Sequence, residues 1–248
     1  MEAAEADPIL VEPGAGEIVG DEPHRRVEIL SDHDSLHATW TRYGAHREGA
    51  DLHVHRRHTD LFYVLEGELT IRLGPEGEPV SVPAGSLARM PPLVVHGFRN
   101  VSDADVAYLN FHAPGRGFAD FMRARHQGRE FSYDQHPPPD DGGRPASEAT
   151  FGGEQVVADE PGLRVARLAD ADEIEITETR AEAGARPRSS QLDDRVASFY
   201  VLEGEISFAA GGRELRAGPG SWVQIPPGVP HTLALVGDTP VCFLGLRT

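Results

Sequence analysis

The sequence predicts an all-β chain: two copies of one sandwich or barrel unit, with a short helical, Pro-rich connection between them. Two observations predict it. The first is an internal repeat. Phe62-Tyr63-Val64-Leu65-Glu66-Gly67-Glu68 recurs identically as Phe199-Tyr200-Val201-Leu202-Glu203-Gly204-Glu205, an offset of 137 residues. Gly16-Glu17-Ile18-Val19 faces Gly153-Glu154-Gln155-Val156 at the same offset, Asp21-Glu22-Pro23 faces Asp159-Glu160-Pro161 one residue further, and Gly85-Ser86 faces Gly220-Ser221 at 135. Four blocks in one order with so little drift mark a duplicated unit. The second observation is the texture inside each copy: short apolar runs punctuated by Gly and Pro, without long helical periodicity.

The elements follow in order. Phe62 to Leu73 is apolar and alternates after Gly67 through Leu69, Ile71 and Leu73, which reads as strand. Turn signals at Gly74-Pro75 and Glu76-Gly77 precede a short run, Pro79 to Val82, and then Pro83-Ala84-Gly85. Further strands fit Ser86–Met90, Val94–Arg99 and Val106–His112. Phe118, Phe121 and Met122 are spaced for one or two helical turns within Phe118–Arg125. His136-Pro137-Pro138-Pro139-Asp140-Asp141-Gly142-Gly143 reads as a linker. The expected organisation is a tail over 1–15, a first barrel over 16–113, a connector over 114–152 and a second barrel over 153–248.

Composition removes several chemistries. All 23 basic residues among the 248 are arginine. Without lysine there is neither a Schiff-base nucleophile nor a P-loop. A single cysteine, Cys242, allows no intrachain disulfide, thiolate zinc cage or Cys-x-x-Cys pair. It lies in the apolar run Val241-Cys242-Phe243-Leu244, so it reads as a buried structural residue; Phe208 and Trp222 read as core. The net charge of −17, with no basic block, argues against nucleic acid and anionic membranes as partners. No apolar run reaches the length of a membrane span, and the acidic start does not resemble a signal peptide. The expectation is a soluble, cytoplasmic protein, with a homodimer left open.

Nine of the twelve histidines lie at or before His112. His53-Val54-His55 places two imidazoles at i and i+2, on one face of a strand. Asp60 follows, and His96 lies on a later predicted strand. Three imidazoles and a carboxylate suit a divalent transition metal and poorly suit calcium. His58 is a rival donor, although Arg56-Arg57-His58-Thr59 reads as a solvated turn. Arg56 and Arg57 are candidates for holding an anionic substrate. Tyr108, Asn110 and His112 alternate on one strand and line the pocket if that face is inward.

These residues resemble the cupin motifs. The first cupin motif is G-x5-H-x-H-x3,4-E-x6-G, and His53, His55, Asp60 and Gly67 fit it, with aspartate in the glutamate's place and only three residues between Gly49 and His53. The second is G-x5-P-x-G-x2-H-x3-N. Gly85, Pro91, His96 and Asn100 fit it at every spacing, with Leu93 in place of the inner glycine. The resemblance implies two tandem jelly-roll (double-stranded β-helix) barrels, a bicupin similar to the quercetin 2,3-dioxygenase-like proteins. It implies a divalent metal (Fe, Mn, Ni, Co, Zn or Cu) held by His53, His55, Asp60 and His96, with Asp60 doubling as a catalytic base. Asp60 reaches about 1.5 Å less far than glutamate, so it either ligates or orients an imidazole.

The second copy keeps the frame and loses the donors. His53 aligns with Ser190, His55 with Leu192 and Asp60 with Ala197; only His96 has a match, His231. The second barrel is expected to be metal-free. The implied activity is a metal-dependent, dioxygenase-type oxidation of a small phenolic or enolisable substrate in the first barrel. An isomerase or decarboxylase, and a non-catalytic metal- or ligand-binding bicupin, remain open alternatives.

Overall fold

A computed structural model describes residues 7–185 and 194–248. Strands are numbered along the chain, beginning with β1 (Ile9–Val11). The chain divides into two compact units. The first, residues 17–153, contains β2 (Glu17–Glu22), β3 (Arg25–His33), β4 (Leu36–Tyr43), β5 (Thr59–Glu66), β6 (Glu68–Leu73), β7 (Glu78–Pro83), β8 (Leu87–Met90), β9 (His96–Arg99), β10 (Val106–Ala113), helix α1 (Phe118–His126) and β11 (Thr150–Phe151). The second contains β1 with β12 (Gln155–Glu160), β13 (Leu163–Ala171), β14 (Ile174–Ala181), β15 (Ala197–Glu203), β16 (Ile206–Ala210), β17 (Arg213–Ala217), β18 (Trp222–Ile225), β19 (His231–Leu235) and β20 (Val241–Arg247).

Each unit is a two-sheet, all-antiparallel barrel, and the two share one strand order. The first has sheets β11-β8-β5-β10-β4-β3-β2 and β7-β6-β9; the second has β1-β18-β15-β20-β14-β13-β12 and β17-β16-β19. The run Phe62–Leu73 breaks at Gly67 because the chain changes sheet there. Gly67 has φ +73°, and a Cβ would stand 2.6 Å from the Asp105 carbonyl oxygen. Gly204 repeats this at φ +76° and 2.5 Å from the Pro240 oxygen. The glycine shared by the two heptapeptides therefore has a backbone cause.

Two segments do more than the sequence suggests. The expected tail supplies β1, which pairs with β18 from Ile9↔Gln224 to Val11↔Trp222. The expected connector supplies β11, which pairs with β8 in the first unit. The connector also supplies α1, whose Phe118, Ala119 and Met122 pack on Val19, Val27 and Ile29.

Apolar side chains fill both interiors. Phe62, Val64, Leu69, Ile71 and Met90 are fully buried in the first barrel; Val201, Ile206, Phe208, Val223 and Ile225 are in the second. Trp222 is fully enclosed, and the free thiol of Cys242 is buried, which pushes its pKa up to about 11. Among the described residues no helix is long and apolar enough to cross a membrane.

Leu93 occupies the slot where the cupin motif has glycine, and it keeps the glycine conformation at φ +68°. Its counterpart, Gly228, has φ +76°. The left-handed region costs an L side chain about 1–2 kcal/mol, while glycine's extra freedom in the unfolded chain costs about 0.5–1 kcal/mol. Leu93 is 38% exposed, so the burial lost on truncation offsets part of this gain. Leu93→Gly is expected to raise unfolding free energy by up to about 1 kcal/mol, measured by chemical denaturation. A loss above about 1 kcal/mol would contradict the strain argument.

Candidate metal centre

The first barrel assembles its polar cluster from separate strands. Asp60 lies on β5, opposite His112 on β10 and Met90 on β8. His96 opens β9, and an isolated bridge ties it to His53, with His53 N–H donating to the His96 oxygen at 2.8 Å and the reverse bond at 3.0 Å. His53, His55, Asp60 and His96 are all buried, and their donor atoms lie within 4.8 Å of one another.

Each of the three imidazoles spends its Nδ1–H on a backbone carbonyl. His53 donates to Asp51 at 2.7 Å, His96 to Val94 at 2.9 Å, and His55 to Asp134 at 2.5 Å. A carbonyl only accepts, so these bonds fix the proton on Nδ1 and free Nε2 as the donor nitrogen in each neutral ring. The Nε2 of His55 is buried without a hydrogen bond and stands 3.7 Å from Asp60 Oδ2. The Nε2 of His96 is 3.2 Å from the same oxygen. Three imidazole nitrogens and one carboxylate oxygen thus face one point, the donor set of a divalent transition metal.

The other carboxylate oxygen is held from behind. Asp60 Oδ1 accepts from Asn110 Nδ2 at 2.5 Å and faces His112 Nε2 at 3.4 Å. Nε2 of His112 also faces Asn110 Oδ1 at 3.2 Å, and its Nδ1 meets the Tyr133 hydroxyl at 3.0 Å. With Nε2 facing two acceptors, the neutral ring carries its proton there, so Nδ1 accepts from Tyr133. Tyr108, Asn110 and His112 therefore face inward.

Burial raises the Asp60 carboxyl, but His112, His55 and His96 around it more than offset this and hold it well below the usual carboxylate range. Burial drives His53 down to about 3, aided by His96 and His55. Burial also lowers His55, yet Asp60 and the Asp134 carbonyl outweigh it and leave the ring above its ordinary value.

His58 is buried, contrary to the solvated-turn reading, because Asp134 reaches it from the connector. Asp134 Oδ2 accepts from His58 Nδ1 at 2.7 Å and from the backbone N–H groups of Arg56 and Arg57 at 3.0 and 2.8 Å. His55, His58 and Asp134 form a second group of potential donors, but their contacts already pair them with each other. Arg56 and Arg57 are exposed and do not line the cavity. Asp134 and Tyr133 were missed, since nothing in the connector's spacing links them to residues some 75 positions earlier. The clue available was the pair Tyr133-Asp134, a phenol beside a carboxylate just before the Pro-rich run.

A cavity of about 180 Å3 opens onto His53, Asp60, Asn110 and His112. Its walls include Phe98, Tyr108, Phe118 and Phe121, with Arg25, Arg47 and Arg125 balanced by Glu22 and Glu48. In the second barrel Ala197 stands at the Asp60 position, while Ser190 and Leu192 lie outside the described residues. His231 is buried, with Nδ1 3.3 Å from the Val229 oxygen, oriented as His96 is. Among the described residues, this barrel brings no three such donors together.

Three outcomes are expected. By elemental analysis, His53→Ala loses stoichiometric metal while His231→Ala retains it; chelator competition shows Asp134→Ala weakening metal about 10-fold, since Asp134 holds the turn that bears His55. Metal loading at pH 7 releases protons, and affinity falls as pH is lowered, because the ion displaces the proton on His55. A pH-independent affinity from pH 5 to 8, in an indicator titration, would contradict this.

The chain matches the family model described as Cupin domain over residues 40–112 and 180–246. It is 29% identical over 96 residues to a quercetin 2,3-dioxygenase of Bacillus subtilis, covering 38% of this chain and 28% of that protein. The chain therefore matches well under two thirds of that relative's length. Its fold is similar to a variant of Bacillus subtilis oxalate decarboxylase, with TM-score 0.70 and 14% identity over all of this chain and 78% of that one. It is likewise similar to a putative glyoxylate-induced protein of Pseudomonas aeruginosa (TM-score 0.68, 15% identity, 100% and 91% coverage). AerE from Microcystis aeruginosa gives 0.68 and 14% over 96% and 97%. With the family model matching one stretch in each barrel, and more than half of all residues, the chain belongs to the cupin domain family and is a bicupin.

Proposed function

We propose that the first barrel is the active site of a metal-dependent oxidoreductase of the dioxygenase type, acting on a small phenolic or enolisable compound. The observation that carries this reading is the convergence of His53, His55 and His96 with Asp60 in one buried cluster, which His53 and Asp60 connect to an aromatic-walled cavity. Those four residues would hold the metal. When bound, a divalent transition metal supplies Lewis acidity to the substrate oxygen and redox chemistry toward dioxygen.

The protein's own groups do the rest. Phe98, Phe118 and Phe121 offer ring faces that seat a planar substrate and exclude water. Asp60 is the carboxylate placed to accept the substrate's hydroxyl proton. Asn110 and His112 hold its Oδ1, so the carboxylate keeps its direction. The small volume favours a single-ring or short-chain substrate.

Arg25, Arg47 and Arg125 favour one second reading, decarboxylation of a small carboxylate. Glu22 sits 2.8 Å from Arg47 and 3.9 Å from Arg25, which leaves Arg125 as the cation with least opposition along that wall. Oxygen uptake separates the two.

Metal-loaded protein is expected to consume dioxygen with catechols, read with an oxygen electrode. Asp60→Asn is expected to lower the rate constant about 10²–10⁴-fold, the usual contribution of a positioned base. Carbon dioxide release from a small carboxylate without oxygen uptake would replace this reading with the second.

A further inference from the structure

The second barrel has lost its metal donors but not its interior. A cavity of about 380 Å3 runs into it, about twice the volume of the metal-site cavity. That lies within the roughly 300–1,000 Å3 range of small-molecule sites. Register explains why the space is there. Pairing of β20 with β14 and β15 places Gly245 opposite Thr177 and Phe199. Asn110 is opposite Thr39 and Phe62 in the first barrel. Glycine thus stands where an asparagine fills the first barrel, and Ala197 stands where Asp60 does.

The side chains around the space respond to it. Phe62 is fully buried, whereas its repeat, Phe199, is only partly buried. The Phe199 ring packs on Phe208 at 4.9 Å and Phe243 at 6.1 Å, so it is fixed from behind while its open face lines the cavity. A Cβ on Gly245 would point at Thr177 Oγ1, 3.1 Å away, and at the Phe199 ring, 3.9 Å away.

The chemistry of the lining selects a ligand class. Phe199, Phe243, Leu233, Val165 and Ala197 make apolar walls. Thr177 donates to the Gly245 carbonyl at 3.3 Å, which leaves its oxygen able to accept a hydrogen bond, and Thr179 and His231 lie beside it. Charge does not favour an ion. Glu175 pairs with Arg167 at 3.4 Å and Arg195 at 3.8 Å, and the remaining lining charges are Glu160 and Arg247, one of each sign.

We infer that the second barrel is a metal-independent binding site for a neutral, hydroxylated aromatic molecule, its ring against Phe199 and its hydroxyl toward Thr177. This site is separate from the metal cluster and does not rest on the proposed activity of the first barrel.

The test uses 2-naphthol as the probe, followed by its own fluorescence, with metal-loaded full-length protein. The expected result is saturable binding at one site. His53→Ala keeps that affinity within about twofold, because the metal cluster takes no part. Gly245→Leu fills the space and weakens binding at least tenfold, with metal content and cooperative unfolding retained. Ala197→Leu fills it from the opposite strand and serves if the first variant does not fold. 2-Naphthoate binds at least tenfold more weakly than 2-naphthol. Three results would each overturn the assignment: no saturable binding to wild type, loss of binding in His53→Ala, or undiminished binding in a folded filling variant. Tighter binding of 2-naphthoate would overturn the neutral-ligand class.

Discussion

Three hydrogen bonds from imidazole Nδ1 to backbone carbonyls organise the first barrel. An unanchored histidine samples two tautomers and several ring angles, and a buried one leaves a polar nitrogen unpaired. Tying Nδ1 to Asp51, Val94 and Asp134 removes both freedoms and aims three Nε2 lone pairs at one point. Two of these carbonyls lie two residues before the histidine they hold, so local strand geometry supplies them. The third belongs to the connector, beyond the last strand of the barrel proper. The donor cluster is thus completed by chain outside the repeat, and α1 with Tyr133 is part of the same support. Phe118 stacks on His112 at 3.8 Å, and Tyr133 stacks on His58 at 5.1 Å.

The same cluster sets an electrostatic constraint. A carboxylate taken fully out of water is expensive unless opposite charge or donors meet it. Asp60 meets Asn110 on one oxygen and the His96 and His55 rings on the other. The aspartate, though a methylene shorter than the glutamate of the motif, still reaches the imidazoles, standing 3.2 Å from His96 Nε2 and 3.7 Å from His55 Nε2. A divalent cation at the cluster would meet the same charge.

Much of this was legible in the sequence, and what was not has physical reasons. The heptapeptide repeat announced two barrels because Gly67 and Gly204 must both take a left-handed turn, and only glycine does so freely. His53, His55, Asp60 and His96 were legible because strand periodicity and motif spacing carry them. Leu93 was legible as a departure, but its retention of the glycine conformation was not. Asp134 was invisible for a different reason. Its role depends on a loop returning across the barrel, and no local period encodes that. His58 followed suit, since its surroundings look polar in sequence and become buried only when Asp134 arrives. The strand β1 was hidden by its length of three residues, too short for alternation to show.

The contrast between the barrels follows from the same energetics. Once a barrel loses the imidazoles at the positions of His53 and His55, an aspartate at the position of Asp60 would be a buried charge with one ring left to face it. Breaking a buried pair in this way costs about 3–5 kcal/mol. Loss of the rings therefore favours loss of the carboxylate, and loss of the carboxylate removes the need for the asparagine behind it. Ser190, Leu192, Ala197 and Gly245 read as one linked set of replacements. His231 escapes the set because its Nδ1 faces the Val229 carbonyl two residues before it, a contact that none of the replaced residues supplies. The strand order and sheet-changing glycines, which answer to backbone geometry, are untouched. What remains is a barrel of the same frame with the charged filling withdrawn, and its space is a consequence of that withdrawal.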